Sequence, residues 1–442
     1  MIEVSSAQIA QARPVAQAFS PARLTLARQV AGRTKRQLAE AIDKTAAAVT
    51  QFELGQARPS AETLAFCAQA LDLPVAFFAG GRPQLVVDTG MAHFRSLRAT
   101  RAYQREQAMG LIALLWEVVE AVEQVVELPP VSLPGFSDFA CLGSPAEAAR
   151  ELRRFWGVGD GPVPHLVRHA EANGIVTSVL PRTLTGEIAA GPPEHPSGVS
   201  NVDAFSTRVS QRSLIGLTGA KGGLLRRRFN VAHELGHLLL HPEARPGDHL
   251  HEREAHLFAA ELLMPEASII QELPARPDPG RLLPLQRRWG ASVSALAFRG
   301  RTLGTYSEPQ LKRLMITLSQ LGWRTNEPED QSLLEGEEPA LLRQALELAS
   351  SAGMCVSSLA DQLKLPASLV RTFLGIPDSK PRLTLLKRPL PAGRTSAISL
   401  FGEDRCRANG NHGSAGSVMR RARSIRAGLT GGSSGGSRLT GA

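Results

Sequence analysis

Apolar positions recur every three to four residues through much of this chain, a period that predicts a mainly helical protein. Between residues 20 and 80 the apolar runs are short, and Gly32, Asp43, the stretch 55–59 and Pro74 separate them. Such breaks are typical of short helices joined by turns. The apolar positions of these runs are Leu24, Leu26, Val30, Leu38, Ile42, Val49, Phe52, Leu64, Ala68 and Leu71. The pattern predicts a compact all-α domain over residues 20–80.

The next segment, residues 81–143, is expected to be a helical linker. Residues 92–110 place Arg95, Arg98, Arg101 and Arg105 at near-helical spacing, which forms a basic stripe. A stripe that lies along DNA is one interpretation, and a solvated linker helix is the one we favour. The run LIALLWEVVEAVEQVVELPP follows and has an apolar stripe, which either joins the domains or pairs two protomers. The stripe consists of Leu111, Leu114, Leu115, Val118, Val122 and Val125.

From residue 144 the pattern alternates between helices and short strands, which predicts an α+β domain with a small sheet over residues 144–325. Residues 145–155 and 163–173 have helical spacing, and IVTSVLP and SLIGLTG have the composition of strands. A small helical unit is expected over residues 326–404. The whole chain is therefore predicted to be multidomain and mainly α.

The charge of the chain is concentrated at one end. The formal net charge is +9, and residues 405–442 carry seven arginines and no acidic residue, so the rest of the chain is close to neutral. These residues are also rich in Gly and Ser, which predicts a disordered tail. Net charge is therefore weak support for binding to nucleic acid.

The composition suggests a soluble protein of the cytoplasm. Cys67, Cys141, Cys355 and Cys406 are scattered without the spacing of a metal site or a disulfide framework, as expected in a reducing compartment. We find no export signal and no apolar run suited to span a membrane.

Residues 233–237 read HELGH and match the HExxH pattern. On a helix, positions i and i+4 share a face, so His233 and His237 can bind one metal ion while Glu234 projects beside it. Zinc accepts imidazole and carboxylate ligands, and a catalytic site keeps one position for water, on which Glu234 would act as the base. The apolar residues of FNVAHELGHLLLH predict a buried helix, which disfavours a chance match.

The segment HEREAHLFAAELLMP, residues 251–265, predicts a second helix that supplies a third ligand. Glu252 is favoured because it shares a helix face with the small and apolar residues Ala259 and Leu263, which can pack against the first helix. His256 lies one turn after Glu252 and is expected to orient a ligand by a hydrogen bond rather than to bind the metal.

Several acidic residues and histidines nearby remain open as alternatives. Glu254 and Glu261 are alternative third ligands, and His241 is a weaker one because three ligands along one helix splay too far apart for a tetrahedral site. The group that would stabilise an oxyanion stays open among His241, His251 and Tyr306, of which Tyr306 lies where a downstream loop is placed to fold over the site.

The runs RRRFNVAHELGHLLLH and EREAHLFAAELLMP resemble the ImmA/IrrE family of bacterial and phage metallopeptidases, over roughly residues 144–321. The resemblance implies a zincin-like fold, zinc bound by His233, His237 and Glu252, and Glu234 as the catalytic base. Relatives often carry Asn where this sequence has His256, a departure that concerns a hydrogen bond beside the metal.

Residues 20–80 resemble the XRE-type (Cro/C1) helix-turn-helix, in which the QLAEAI helix would pack under a recognition helix from about Thr45 to Leu54. Residues 45–49 read TAAAV, so the surface would present few hydrogen-bonding groups and would read thymine methyls or DNA shape. A module that binds protein is the alternative. The DNA-binding positions of the family correspond to Gln37, Lys44, Thr45, Ala46, Ala47, Thr50 and Gln51, with Arg58 near the phosphates.

Two classes of function follow. One is a DNA-binding transcriptional regulator that carries a zinc endopeptidase, and the other is a regulator whose zinc domain is structural or ligand-sensing. Glu234 favours hydrolysis, because a structural zinc site is usually closed by four protein ligands and does not use a carboxylate beside the metal. A toxin or antitoxin partner is a third idea.

The resemblances also imply partners. Relatives that are separate proteins cleave helix-turn-helix repressors, which suggests a repressor as substrate. The fused DNA-binding domain would either bring the enzyme to a repressor or itself be cut. Double-stranded operator DNA and a homodimer are expected, because such modules usually read paired half-sites.

Overall fold

Contacts within the chain define two units, residues 1–389 and 390–442, and only the first contains described residues. The computed structural model describes residues 4–81, 92–94, 102–134, 143–181, 204–209, 211–218, 223–241, 248–324, 326–328 and 337–376.

Short capped helices form the N-terminal domain, as the apolar period predicts. Thr34, Thr45 and Ser60 each accept a backbone N–H in the first turn of the helix that follows, which satisfies an amide group that the helix start would leave without a partner. The helices are α1 Ser6–Gln17, α2 Pro21–Val30, α3 Lys35–Ala41, α4 Ala46–Glu53 and α5 Ala61–Ala70, followed by a 3₁₀ turn at Val75–Phe78.

The long helix α6, Ala102–Glu123, is a core element and not a solvated linker helix. The predicted stripe is buried from Leu111 to Val122, while Val125, beyond the end of the helix, is partly exposed. Ala92–Phe94 form the short strand β1 instead of continuing a helix, because their backbone pairs with another strand. Arg95, Arg98 and Arg101 lie outside the described residues. The stripe therefore serves to join parts of one chain.

Four strands form a mixed sheet in the order β1, β3, β4, β2. Strand β2, Ile175–Leu180, pairs in parallel with β4, Arg212–Thr218. Strand β3, Ala204–Val209, pairs antiparallel with both β4 and β1. The predicted small sheet is confirmed, and β2 and β4 correspond to the two predicted strands.

Eight helices lie in the described part of residues 145–320, and three more follow. They are α7 Pro145–Phe155, α8 Leu166–Ala172, α9 Leu224–Leu240, α10 His249–Leu263, α11 Glu266–Glu272, α12 Pro279–Trp289, α13 Val293–Thr302, α14 Glu308–Gln320, α15 Leu341–Ala349, α16 Val356–Leu363 and α17 Ala367–Phe373.

The sheet has a different helical layer on each face. Alternate residues of a strand point to opposite faces, so Ile215 and Leu217 of β4 pack in the core that contains α9, whereas Leu214 packs in the core that contains α6. Gly216 also faces α6, since a Cβ added there would lie 3.3 Å from the Ile112 side chain. The sheet thus stands between α9 and α6.

The N-terminal domain and the C-terminal helices belong to the same core as α6. Leu24 of α2 and Phe373 of α17 are buried in that core. The Ser178 hydroxyl of β2 donates a hydrogen bond to the backbone oxygen of Phe373 at 2.9 Å, on the same face of the sheet. No helix among the described residues is long and apolar enough to cross a membrane.

Candidate metal centre

The HELGH motif lies in the middle of α9, where His233, Glu234 and His237 are buried. Helix α10 crosses close to α9 at Gly236, because glycine has no side chain there. A Cβ at Gly236 would lie 3.0 Å from the Phe258 ring and 3.2 Å from the Ala255 Cα of α10. This close approach positions α10, and with it Glu252, beside the motif.

Three side chains converge between the two helices. The Nε2 atoms of His233 and His237 are 3.1 Å apart, and the carboxylate oxygens of Glu252 lie 3.4 Å from the first and 3.5 Å from the second. We call this set the ligand triangle. Ligands at ordinary Zn–N and Zn–O lengths in a tetrahedral site are about 3.3 Å apart, so the spacing fits one zinc ion. Two imidazoles and a carboxylate are also a ligand set that catalytic zinc uses.

Behind the ligand triangle, His241 and Glu254 extend a chain of hydrogen bonds from His237. The Nδ1 atoms of His237 and His241 are 3.0 Å apart, and His241 Nε2 is 2.9 Å from Glu254 Oε2. If His237 binds metal through Nε2, its Nδ1–H donates to His241, whose Nε2–H then donates to Glu254. Burial lowers the pKa of His241, against the opposing effect of Glu254, which favours the neutral imidazole that this chain requires.

The other acidic alternative, Glu261, belongs to a different cluster. Its carboxylate is buried and accepts hydrogen bonds from Arg150 and Arg299. Across the described residues, His233, His237 and Glu252 form the one group of three side chains placed to share a metal ion.

The Glu234 carboxylate is wholly buried and contacts β3. The Ser206 hydroxyl donates to Glu234 Oε2 at 2.7 Å, a contact that fixes the orientation of the carboxylate. Sequence reasoning missed Ser206, because β3 was not predicted. The available signal was the alternation in AFSTRV, which puts Ser206 on the face opposite Phe205.

His256 packs beside the ligand triangle. Its Nδ1 is 3.2 Å from the backbone oxygen of Glu252, one turn earlier. Its ring centroid lies 4.8 Å from that of His233 and 5.6 Å from that of Phe229. His256 thus contacts the His233 ring and forms a hydrogen bond with the backbone of the helix that carries Glu252.

His251 and Tyr306, two further candidates to stabilise an oxyanion, have other surroundings. The His251 ring stacks on His241 with centroids 4.0 Å apart, next to the hydrogen-bond chain. Tyr306 is fully buried, and its ring packs where a Cβ on Gly300 would stand. Burial raises the pKa of Tyr306 to about 12. These contacts place Tyr306 in the packing of α13 against the turn before α14.

Two family models match the chain. Residues 194–300 match the peptidase M78 family, described as an IrrE N-terminal-like domain, and residues 25–78 match a helix-turn-helix model. The chain joins a helix-turn-helix domain of the XRE type to an IrrE-like domain. No curated protein matches the chain. The IrrE-like match contains the ligand triangle and Glu234. Taken together, the two matches indicate a DNA-binding regulator with a metallopeptidase-like domain.

In the helix-turn-helix domain, the predicted recognition helix corresponds to α4. Its start is fixed by Thr45, whose hydroxyl accepts the Ala48 N–H at 3.2 Å. Ala46, Ala47 and Gln51 are exposed on its surface. The helix therefore presents a short and mostly apolar face with one amide side chain.

Other predicted DNA-binding residues make local hydrogen bonds. Gln37 Oε1 accepts the Thr34 N–H at 2.9 Å in a capping box, and the Thr50 hydroxyl donates to the backbone oxygen of Ala46 at 3.0 Å. Arg58 is exposed and donates to the backbone oxygen of Gln17 at 3.5 Å. Lys44 is exposed in the turn between α3 and α4. The side chains of Gln37 and Thr50 thus have structural roles in the helices that carry them.

Proposed function

We propose that this DNA-binding regulator is a zinc-dependent endopeptidase that cleaves a repressor protein. The observation that carries the proposal is the ligand triangle, with its three near-tetrahedral separations and its position next to the buried Glu234. A zinc ion bound there would supply an activated water and would polarise the scissile carbonyl.

The residues of the chain have distinct roles in this proposal. His233, His237 and Glu252 hold the metal, and Glu234 takes a proton from the attacking water and later passes it to the leaving amine. Ser206 holds one oxygen of Glu234 by a hydrogen bond and so orients the carboxylate in this role.

The arrangement of layers supports a substrate that is a separate protein. The ligand triangle lies on the α9 face of the sheet, and the helix-turn-helix domain packs in the core of the opposite face. The sheet therefore stands between the proposed site and the DNA-binding domain of the same chain. This arrangement favours cleavage of another repressor over cleavage of its own helix-turn-helix domain, and a repressor of the helix-turn-helix class is the substrate that the family resemblance suggests.

Metal dependence tests the peptidase proposal. Purified protein is incubated with candidate helix-turn-helix repressors, before and after zinc removal by a chelator, beside His233→Ala. We expect cleavage by the zinc-loaded protein, loss of cleavage in the chelator, recovery on adding zinc, and none with His233→Ala. Zinc bound without cleavage of any candidate would favour a structural or ligand-sensing domain, and cleavage by the metal-free protein would contradict the proposal.

We also propose that α4 enters the major groove of operator DNA, with two protomers on paired half-sites. In this proposal Gln51 contacts base edges and Lys44 a phosphate, while Thr45, Ala46 and Ala47 face the groove. Arg58 lies near the phosphates in this proposal. Gln37 and Thr50 belong to the same surface and contribute by stabilising the helices that carry them. The exposure of Lys44 and Gln51 supports this assignment.

Fluorescence anisotropy with an operator fragment tests the DNA contacts. Gln51→Ala should relax sequence preference at one base pair, and Lys44→Ala should weaken binding to all sequences and reduce the salt slope by about one. Lys312→Ala, on the exposed side of α14, is the matched control. Equal affinities for all three variants at every salt concentration would contradict the assignment.

A further inference from the structure

A cavity of about 490 Å³ opens between α9, α10, α13 and the residues Trp323, Arg324, Asn326 and Glu327. Its size falls within the range of sites that bind small molecules or peptide side chains. The apolar part of its lining includes Leu225, Phe229, Leu257, Ala295, Phe298 and Trp323.

The cavity adjoins the ligand triangle through His256. This residue lines the cavity, and its ring packs edge-on against the ring of the metal ligand His233 at 4.8 Å. Phe229, in the same lining, also packs against His256, with ring centroids 5.6 Å apart. A substrate peptide that passes the proposed metal centre on this side would therefore place a neighbouring side chain in the cavity.

The lining indicates which chemical group fits. Phe298 is 53% exposed, a large apolar surface that gains free energy when a partner covers it. The charged residues of the lining are of both signs: Arg226, Arg299, Arg324 and Glu327. A large apolar group therefore matches the cavity through its apolar wall.

We propose that this cavity binds a large apolar side chain of the protein substrate, next to the bond that is cut. The proposal rests on the proposed peptidase function and adds a substrate preference to it. Phe, Leu and Met are the side chains of suitable size. A peptide side chain is preferred to a free small molecule because His256, which lines the cavity, packs against the proposed metal ligand His233.

A peptide library tests the preference. The zinc-loaded full chain is given decapeptides that vary at one central position, and the products are identified by mass spectrometry. We expect cleavage next to Phe, Leu or Met to exceed cleavage next to Gly or Ala by on the order of 100-fold in kcat/KM, as a filled apolar pocket allows. Preference for small or basic residues would overturn the proposal.

Two matched variants tie the preference to the cavity. Ala295→Trp fills the cavity from α13, and Ala267→Trp places the same side chain on the exposed surface of α11, away from the lining. We expect Ala295→Trp to retain zinc and to lose most of the preference for large apolar residues, while Ala267→Trp behaves like the wild type. Equal preferences in the two variants would overturn the proposal.

A binding experiment separates this inference from the peptidase proposal. Saturation-transfer NMR compares N-acetyl-L-phenylalaninamide with N-acetyl-L-alaninamide on zinc-loaded wild type, Ala295→Trp and Ala267→Trp. If no peptide is cleaved but the phenylalanine amide binds the wild type and Ala267→Trp and not Ala295→Trp, the cavity assignment stands and the peptidase proposal fails. Equal binding of the two amides, or binding unaffected by Ala295→Trp, contradicts the cavity assignment.

Discussion

Glu254 and His241 show how single residues shape the proposed metal centre without binding the metal. Their hydrogen bonds reach His237 through its Nδ1, the ring atom that faces away from the ligand triangle. Such contacts fix the orientation and tautomer of a ligand imidazole and raise its basicity. The clustering of histidines in this segment therefore has a physical reason beyond the two residues of the motif.

Replacement of Glu254 by Gln tests this role. We predict that Glu254→Gln weakens zinc binding by about 10–100-fold, because the carboxylate that anchors His241 becomes a neutral amide. Affinity is measured by competition with a chromophoric chelator. Glu266→Gln, on the exposed first turn of α11, is the control and should keep wild-type affinity. Equal affinities of the two variants would show that the hydrogen-bond chain does not support the metal.

The sequence carries different amounts of information about these residues. The i and i+4 spacing of His233 and His237 places both on one helix face, and helical spacing also indicates Glu252. Ser206 lies in a strand that pairs with distant segments, so no local period connects it to Glu234. Glu254 remained an alternative ligand because spacing alone does not say which of two nearby carboxylates faces the neighbouring helix.

Among the elements, the packing of α9 on α10 decides whether the three proposed ligands meet. Gly236 lies at the crossing, and the ring of Phe258 and the backbone of Ala255 occupy the space that a side chain would need. The glycine of HELGH thus costs helix propensity but allows a short distance between two helices.

A larger residue at the crossing should separate the helices. We predict that Gly236→Val lowers the free energy of unfolding by roughly 1–3 kcal/mol, since overpacking outweighs any gain in helix propensity. It should also weaken zinc binding by moving Glu252 away from the histidines. Urea denaturation and the chelator competition measure the two effects.

Gly159 provides the control for this substitution, because a Cβ added there meets no atom within 4 Å. Gly159→Val should keep zinc affinity, and its stability should change less. A Gly236→Val protein with wild-type zinc affinity would show that the crossing does not position Glu252.

Elements defined by local signals were predictable, and those defined by long-range pairing were not. The helices of the N-terminal domain have an apolar period and capping residues such as Thr34 and Ser60. Strand β1 has three residues and exists through its pairing with β3, while the basic spacing around it suggested a helix. Tertiary hydrogen bonding overrode that local pattern.

For the whole molecule, α6 connects the DNA-binding domain to the sheet. Arg23 of α2 and Glu117 of α6 form an ion pair at 2.5 Å, with side chains 1% and 6% exposed. Arg212 of β4 contacts Glu123 near the end of α6. One helix therefore contacts both the helix-turn-helix domain and the sheet.

Removal of one partner of the buried Arg23–Glu117 pair should lower the stability of the fold. We predict that Glu117→Ala lowers the free energy of unfolding by about 3–5 kcal/mol, because Arg23 is left as a buried charge without this carboxylate. Denaturant unfolding gives the value. The control, Glu40→Ala, removes the acid from the exposed Arg36–Glu40 pair and should leave stability unchanged within error. A similarly small effect of Glu117→Ala would mean that the pair does not hold the domain to α6.

The sequence predicted an all-α domain and an α+β domain but not how they pack. An apolar stripe such as that of α6 indicates burial without naming the partner, which is why joining domains and pairing protomers were both open. Gly216 and Leu214 of β4 face α6, and Gly216 packs next to Ile112, about a hundred positions earlier in the sequence. Such pairings depend on the whole fold.

The most direct test of the central claim compares wild type with Glu234→Gln in one assay of zinc content and repressor cleavage. Glu234→Gln removes the proposed base and retains all three proposed ligands. The account predicts about one zinc ion per chain in both proteins and cleavage by the wild type alone. Cleavage by Glu234→Gln at the wild-type rate, or a wild-type protein that binds no zinc, would contradict it.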